Sequence, residues 1–191
     1  MEDSYYYPGT RVLRNKFNIK DSDELSEAER RLSRYRTEEL LESPVDGAFD
    51  FRHLCKIHKY LFQDIYDWAG EVRTVDIAKG NLFCHHLFIA DESKRIFTEL
   101  MKDGYLSGLG IDIFTQKLAY YFAEVNALHP FREGNGRTQR EFIRQLAFQN
   151  GYLLFYSGIA QDEMISASIE SFKRNYAPLE HLLASHLHPL R

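Results

Sequence analysis

Cysteine is nearly absent from this chain, with two residues, Cys55 and Cys84, in 191. Two thiols cannot build a disulfide framework, and the expectation is a protein made for a reducing compartment. Long apolar runs are missing as well. Stretches such as Tyr152 to Tyr156 fall far short of the roughly 18 residues that crossing a bilayer takes, so no membrane span is expected. The opening Met1-Glu2-Asp3-Ser4 lacks the positive region and apolar segment of a signal peptide, and the expected location is cytoplasmic. An excess of positive charge is also lacking. Lys plus Arg number 24 against 28 Asp plus Glu, a net charge of −4, which argues against a broad face for nucleic acid or anionic lipid. A local pocket of a few arginines for one phosphate ligand stays allowed, because net charge does not constrain it.

What is present is an ordinary globular composition, 44% hydrophobic and 27% charged, with no repeat, low-complexity tract or linker. The length fits one domain over residues 1–191. Apolar residues at helical spacing predict an amphipathic helix from Ser22 to about Ser43, with Asp21 or Ser22 as its cap. A second helix is predicted from the cap candidate Asp50 through Leu54, Ile57 and Leu61, extended by Ile65 and Trp68 and ended by Gly70. Val72 to Ile77 alternates apolar with polar, Lys79-Gly80-Asn81 reads as a turn and Leu82 to Cys84 as a returning strand, which together predict a β-hairpin. Further helices are expected from Asp91 to about Lys102, across Phe114 to Val125, and near Arg137–Asn150, Asp162–Asn175 and Leu179–His186. The predicted class is all-α, a helical bundle with one short hairpin. Its core runs from about 50 to 160, with N-terminal helices at about 11–43 and C-terminal helices at about 160–187 packed on it.

The stretch from His129 to Arg140, HPFREGNGRTQR, joins two strongly helical patterns and concentrates chemistry. Gly134 and Gly136 let the backbone approach a ligand closely. The helix that follows offers unpaired N–H groups and the positive end of its dipole, a natural anion site. Arg137 and Arg140 are three apart, so both guanidinium forks can reach one polyphosphate. Glu133 supplies a hard carboxylate beside those phosphates, suited to Mg²⁺. His129 at the loop entrance suits proton removal from a hydroxyl near neutral pH. Cys84-His85-His86 and the C-terminal His181, His186 and His188 also invite a metal reading, but they lack a standard zinc spacing.

This run resembles the signature of the Fic (filamentation induced by cAMP) family, His-Pro-Phe-x-Asp/Glu-Gly-Asn-Gly-Arg-x-x-Arg, with every specified position matched. The segment Asp64 to Phe83, with Trp68-Ala69-Gly70, Arg73-Thr74-Val75 and Lys79-Gly80, resembles that family's hairpin or flap, at about 71–84 here. The opening Tyr-Pro-Gly-Thr and Asn-Lys-Phe-Asn-Ile-Lys is similar to its toxin branch and to Fic modules of secreted bacterial effectors.

The resemblance implies a protein adenylyltransferase that moves AMP from ATP to a Tyr, Ser or Thr hydroxyl of a target protein. His129 is then the base and Glu133 the Mg²⁺ ligand. The backbone of Gly134, Asn135 and Gly136 stabilises the phosphoryl oxygens, and Arg137 and Arg140 grip the β- and γ-phosphates. Lys79 and Gly80 lie over the nucleotide, the hairpin edge receives the target as an added strand, and Phe83 is a candidate clamp. Met164 and Ser168 are candidates for the adenine. The branch implies a toxin acting on the ATPase subunits of DNA gyrase or topoisomerase IV, with an effector acting on proteins in the host cytoplasm as the alternative. Family members are often silenced by a Ser/Thr-x-x-x-Glu-Gly/Asn helix. Here Ser166 to Glu170 is followed by Ser171, so a separate helical antitoxin is expected to supply the inhibitory glutamate in trans. Another nucleotide donor, or phosphoryl transfer, is a further alternative, although Gly136 stands where the kinase-like branch places Lys.

Overall fold

The computed structural model describes residues 4–190 except Gly80, and of Lys79 and Asn81 the backbone alone. Helix α1, Ser22–Glu42, starts where Asp21 Oδ1 accepts the N–H groups of Asp23 and Glu24 at 3.0 and 2.9 Å, satisfying donors that the first turn leaves unpaired. Residues 11–21, expected to be helical, instead form an irregular segment. A bridge pairs Tyr6 with Leu13, and the Asn15 amide donates to the carbonyls of Leu13 and Ile19. An asparagine whose side chain satisfies nearby backbone groups competes with helix formation in this way.

Helix α2, Phe51–Phe62, is capped by Asp50 as predicted but stops well before Gly70. Ile65 and Trp68 keep helical spacing, yet the chain turns after Phe62, whose carbonyl accepts from both Ile65 and Tyr66. The expected hairpin exists in shorter form. Only Ala78–Lys79 (β1) and Asn81–Leu82 (β2) pair, antiparallel, and Val72 to Ile77 is not strand. Helix α3, Ile89–Lys102, follows a 3₁₀ turn at His86–Phe88 and so begins two residues before the cap expected at Asp91.

Helix α4, Ile111–Leu128, is the centre of the molecule. Phe114, Leu118, Tyr121, Phe122, Val125 and Leu128 are all buried, and α3, α5 (Asn135–Gln149), α6 (Gln161–Phe172) and α7 (Ala177–Ala184) pack around it. A second small sheet, absent from the sequence reading, pairs β3 (Tyr152–Leu154) antiparallel with β4 (Leu187–Pro189), bringing the C-terminal end back to the end of α5. Seven α-helices and two two-stranded ribbons among the described residues make a helical bundle, as predicted. No helix among them is long and apolar enough to cross a membrane. The position that matters for chemistry is the loop between α4 and α5, pinned at both ends by buried helices.

Candidate active site

The α4–α5 loop is shaped by two left-handed residues. His129 ends α4 with φ 44° and ψ 59°, and Gly134 precedes α5 with φ 80° and ψ 2°. Pro130 disfavours right-handed helix at the residue before it. A non-glycine at positive φ is strained, and its retention here fits the tendency of such strain to collect at functional sites. Gly134 has a second reason to be glycine, since a Cβ there would sit 2.3 Å from the Phe62 ring. Just after Gly134, Asn135 clamps the loop on itself: its Oδ1 accepts from Phe131 N–H at 2.8 Å and its amide donates to the Phe131 carbonyl at 2.7 Å. The side chain of Asn135 is thus committed to structure, and what it can offer a ligand is its backbone.

His129 is buried, and its Nδ1 lies 3.1 Å from the Asn126 carbonyl. A carbonyl only accepts, so Nδ1 carries the proton and Nε2 keeps its lone pair, the tautomer that a general base needs. Phe83 stacks on the imidazole at 3.6 Å between ring centres and 16° between planes. The expected target clamp is therefore buried against His129. Arg73 ties the same region together. It is 2% exposed and donates Nε to the His129 carbonyl at 2.8 Å and Nη1 to Val75 at 2.7 Å, while Nη2 donates to the Cys84 carbonyl. One buried guanidinium thus satisfies three carbonyls, from the α4–α5 loop and from both arms of the flap, and its planar fork suits this role better than a lysine. Burial lowers its pKa from the usual arginine value, partly offset by Asp76.

A cavity of about 650 Å³ opens beside this loop, with His129, Glu133, Gly134, Gly136, Arg137 and Arg140 in its wall. The first helical bond of α5 runs from Thr138 N–H to the Gly134 carbonyl at 3.1 Å, so the N–H groups of residues 135 to 137 stand ahead of the ladder. Glu133 Oε1 accepts from Gly134 N–H at 2.9 Å, which places a carboxylate at the rim of that amide nest. The two arginines differ. Arg137 lines the cavity, but its Nη1 already donates to Ser33 Oγ at 2.8 Å and its Nη2 pairs with Glu29, both on α1, with the guanidinium 4.8 Å above the Phe62 ring. Arg140 makes no hydrogen bond or ion pair among the described residues. Its guanidinium folds back so that Nη1 would lie 3.4 Å from a Cβ at Gly136, and burial lowers its pKa. A desolvated cation with no counter-charge among the described residues, beside a nest of amides, suits an anion.

Some expected residues lie elsewhere. Gly80 and the Lys79 side chain fall outside the described residues. Met164 reaches the cavity wall, and Ser168 does not. Glu170 bonds to Lys173 at 2.7 Å and to Asn175 at 3.3 Å. The histidines of the metal reading do find a partner: Asp76 lies 3.0 Å from both His85 Nε2 and His86 Nδ1, a group of three metal-capable side chains at the foot of the flap. His85 Nδ1 accepts from Leu87 N–H, however, so its Nε2 carries the proton and donates to Asp76. That arrangement is a hydrogen-bonded brace, and a metal would have to displace it.

Three contributors escaped the sequence reading. His58, fully buried in α2, donates Nε2 to the Glu133 carbonyl at 2.9 Å and accepts Gly70 N–H on Nδ1 at 2.8 Å, while stacking on Phe131 at 3.9 Å. Burial pushes its pKa down to about 4, so it is neutral at physiological pH. Glu29 is buried between Arg137 and the Tyr66 hydroxyl. Tyr156, after β3, lines the cavity beside Arg140. His58 and Glu29 sit on the apolar faces of their helices, four residues from Leu54 and Leu25 respectively. A polar residue at a core position is the one signal that could have flagged them.

Known proteins resemble this chain in sequence and in fold. The profile of the Fic/DOC family matches residues 48–147. The protein adenylyltransferase VbhT of Bartonella schoenbuchensis is 45% identical over 91% of this chain, which spans 36% of that relative's length. A Sinorhizobium fredii protein named "Probable protein adenylyltransferase y4lH" is 41% identical over 94% of this chain and 93% of its own. Among solved structures, the Bartonella tribocorum effector BepC with bound AMPPNP superposes with a TM-score of 0.94 at 29% identity, covering 100% of this chain and 99% of that one.

Proposed function

This chain belongs to the Fic/DOC family, and on that premise we propose that it is a protein adenylyltransferase that uses ATP to modify a hydroxyl of another protein. The observation that carries the reading is the meeting, in one cavity, of an imidazole whose Nδ1 is held by a carbonyl, a nest of helix-start amides and an arginine with no counter-ion among the described residues. A base next to a polyphosphate site suits transfer to an alcohol, and such transfers depend mainly on positioning and on stabilising charge. His129 Nε2 takes the hydroxyl proton as the oxygen attacks the α-phosphorus, the bond to the bridging oxygen breaks and pyrophosphate leaves. The amides of residues 135–137 face the charge that develops on the α-phosphoryl oxygens, and the Gly134 N–H expected to join them is instead held by Glu133 Oε1. Arg140, with Arg137 beside it, takes the outer phosphates. The donor set also fits Mg²⁺, since one carboxylate at the rim of a phosphate nest leaves the ion its phosphate and water ligands. Glu133 is the residue that would hold it, and the ion would neutralise phosphate charge when bound.

The partners proposed are of two kinds. The target adds as a strand to the short flap, where Leu82 is 72% exposed, so that main-chain bonds set its hydroxyl in line. A tyrosine on the ATPase subunit of gyrase or topoisomerase IV is the target favoured for a bacterial cytoplasmic toxin, and host proteins are the alternative for an effector module. The restraint is a small helical antitoxin carrying a glutamate to Arg140. A groove of about 440 Å³ between α1 and the segment after β3 is lined by Arg30, Arg34, Arg140 and Arg144; the first, second and fourth pair with Glu27, Glu38 and Glu141, and Arg140 is the cation left for an acidic helix. The test is intact-mass analysis of gyrase B and of the chain itself after incubation with ATP and Mg²⁺, together with α- or γ-labelled ATP. One added AMP, carrying the α-label and lost in His129→Ala, supports the reading. Transfer of the γ-label alone, or of neither, would sink it.

A further inference from the structure

Four buried side-chain polar atoms lack a hydrogen-bond partner among the described residues: His53 Nδ1, Trp68 Nε1, Gln139 Oε1 and Tyr156 Oη. Only Tyr156 belongs to the wall of the nucleotide cavity. A buried hydroxyl left unpaired costs about 1–3 kcal/mol of desolvation, and such groups are rare enough to need an explanation. Nothing about the backbone requires a hydroxyl here. The segment after β3 is held by main-chain bonds, Phe155 N–H to the His186 carbonyl at 3.1 Å and Ile159 N–H to the Tyr156 carbonyl at 3.2 Å, which a phenylalanine would keep. The Tyr156 ring packs on the core, so only Oη is unexplained.

The neighbour of that oxygen is the other unpartnered group of the site, Arg140. Both residues line the cavity, and the arginine's charge acts on the phenol. Burial holds the Tyr156 hydroxyl far above the ordinary tyrosine range, so it keeps its proton and serves as a donor. A neutral O–H and a guanidinium on two residues of one cavity wall suit the same guest, an oxyanion with several acceptor oxygens. The amide nest at residues 135–137 accounts for the inner phosphates. Arg140 lies one helical turn beyond Gly136, and Tyr156 enters from β3 on a different element. We infer that the Tyr156 hydroxyl donates to the terminal phosphate of the nucleotide alongside Arg140, and so makes this chain prefer a nucleoside triphosphate to a diphosphate. The inference rests on the adenylyltransferase reading and names a specificity residue outside the signature loop.

The test is calorimetric titration of ATP and of ADP, each with Mg²⁺, into His129→Ala protein, where turnover is blocked, with and without Tyr156→Phe. A charge-assisted bond lost from a desolvated site should weaken ATP roughly tenfold or more and leave ADP within about twofold. Thermal unfolding of the nucleotide-free proteins is the companion measurement. Tyr156→Phe should unfold at the same temperature or higher, because it removes an unpaired buried hydroxyl and no bond. Equal weakening of ATP and ADP, unchanged affinity for both, or a clear drop in unfolding temperature would each overturn the inference. If the Tyr156-containing protein bound ADP and ATP equally well while transfer to a target persisted, this inference alone would fall. If it bound neither, the adenylyltransferase reading would fall with it.

Discussion

His58 should make the loop that carries the chemistry acid-labile, and the size of the effect follows from its burial. Its Nδ1 accepts Gly70 N–H and its Nε2 donates to the Glu133 carbonyl, an arrangement that requires the neutral ring. Protonation would put a second proton against Gly70 N–H inside a stack with Phe131. The folded pKa of about 4 lies below the ordinary 6.5, so between these values the unfolded chain binds a proton that the folded one refuses. Stability therefore rises with pH in that window; it is fully present above about 6.5 and lost progressively down to 4. A difference of about 2.5 units corresponds to roughly 3 kcal/mol, a large share of the 5–15 kcal/mol that holds most domains together. His53 is also buried, with its pKa lowered by desolvation, so the wild-type slope alone is not diagnostic. The decisive comparison is urea unfolding at pH 7, 6, 5 and 4 for the parent and for His58→Gln, which can still donate and accept. The variant should start about 1–3 kcal/mol less stable at pH 7, from lost stacking and imperfect bonds, and the gap should close or reverse by pH 4. Parallel pH profiles for the two proteins would refute the reasoning.

Other perturbations give separable results. His129→Ala should cut transfer by at least about 10²-fold while ATP affinity stays within a few-fold, read by mass spectrometry and calorimetry respectively. Gly134→Ala combines positive φ with a Cβ in the Phe62 ring and should cost roughly 2–4 kcal/mol in urea unfolding, with phosphate binding weakened as the nest shifts. Glu29→Gln should cost about 1–2 kcal/mol of stability and tighten ATP binding several-fold, because Arg137 then faces the phosphates with its charge less neutralised. No gain in affinity would mean that Arg137 does not meet the polyphosphate.

The legible part of this molecule was local. Asp21 and Asp50 announced their helices because a carboxylate followed by an amphipathic run is a cap with a mechanism, and both caps are made. His129, Glu133, Gly134, Gly136 and Arg140 stood out because their chemistry is close in sequence, and the fold keeps them close in space. What stayed hidden was set by distant partners. The pairing of Tyr152–Leu154 with Leu187–Pro189 joins strands of three residues across two intervening helices, too short to carry an alternating pattern. The stretch Val72 to Ile77 alternates as a strand should, but Arg73 draws its carbonyl neighbours inward and the ladder forms only at the tip. Trp68 kept helical register with α2 because it stacks on Tyr66 in the same core, which periodicity alone cannot distinguish from a longer helix.

The unequal state of the two arginines bears on how such a site can be ready before its substrate arrives. If both guanidinium groups lacked partners, the empty cavity would hold two desolvated like charges on one helical turn, and each would disfavour the other. Anchoring Arg137 to Glu29, Ser33 and the Phe62 face removes that conflict and fixes one fork at the wall, leaving a single uncompensated charge at Arg140. Substrate phosphate then has the most to gain at the one position where the protein is least satisfied, and the same position is where a carboxylate from another molecule would bind. Nucleotide binding and the silencing by an acidic helix proposed above would thus compete for one electrostatic deficit. It follows that raising ATP should relieve such an inhibitor competitively, and an inhibitor that lowered turnover without raising the apparent KM for ATP would place the contest somewhere other than Arg140.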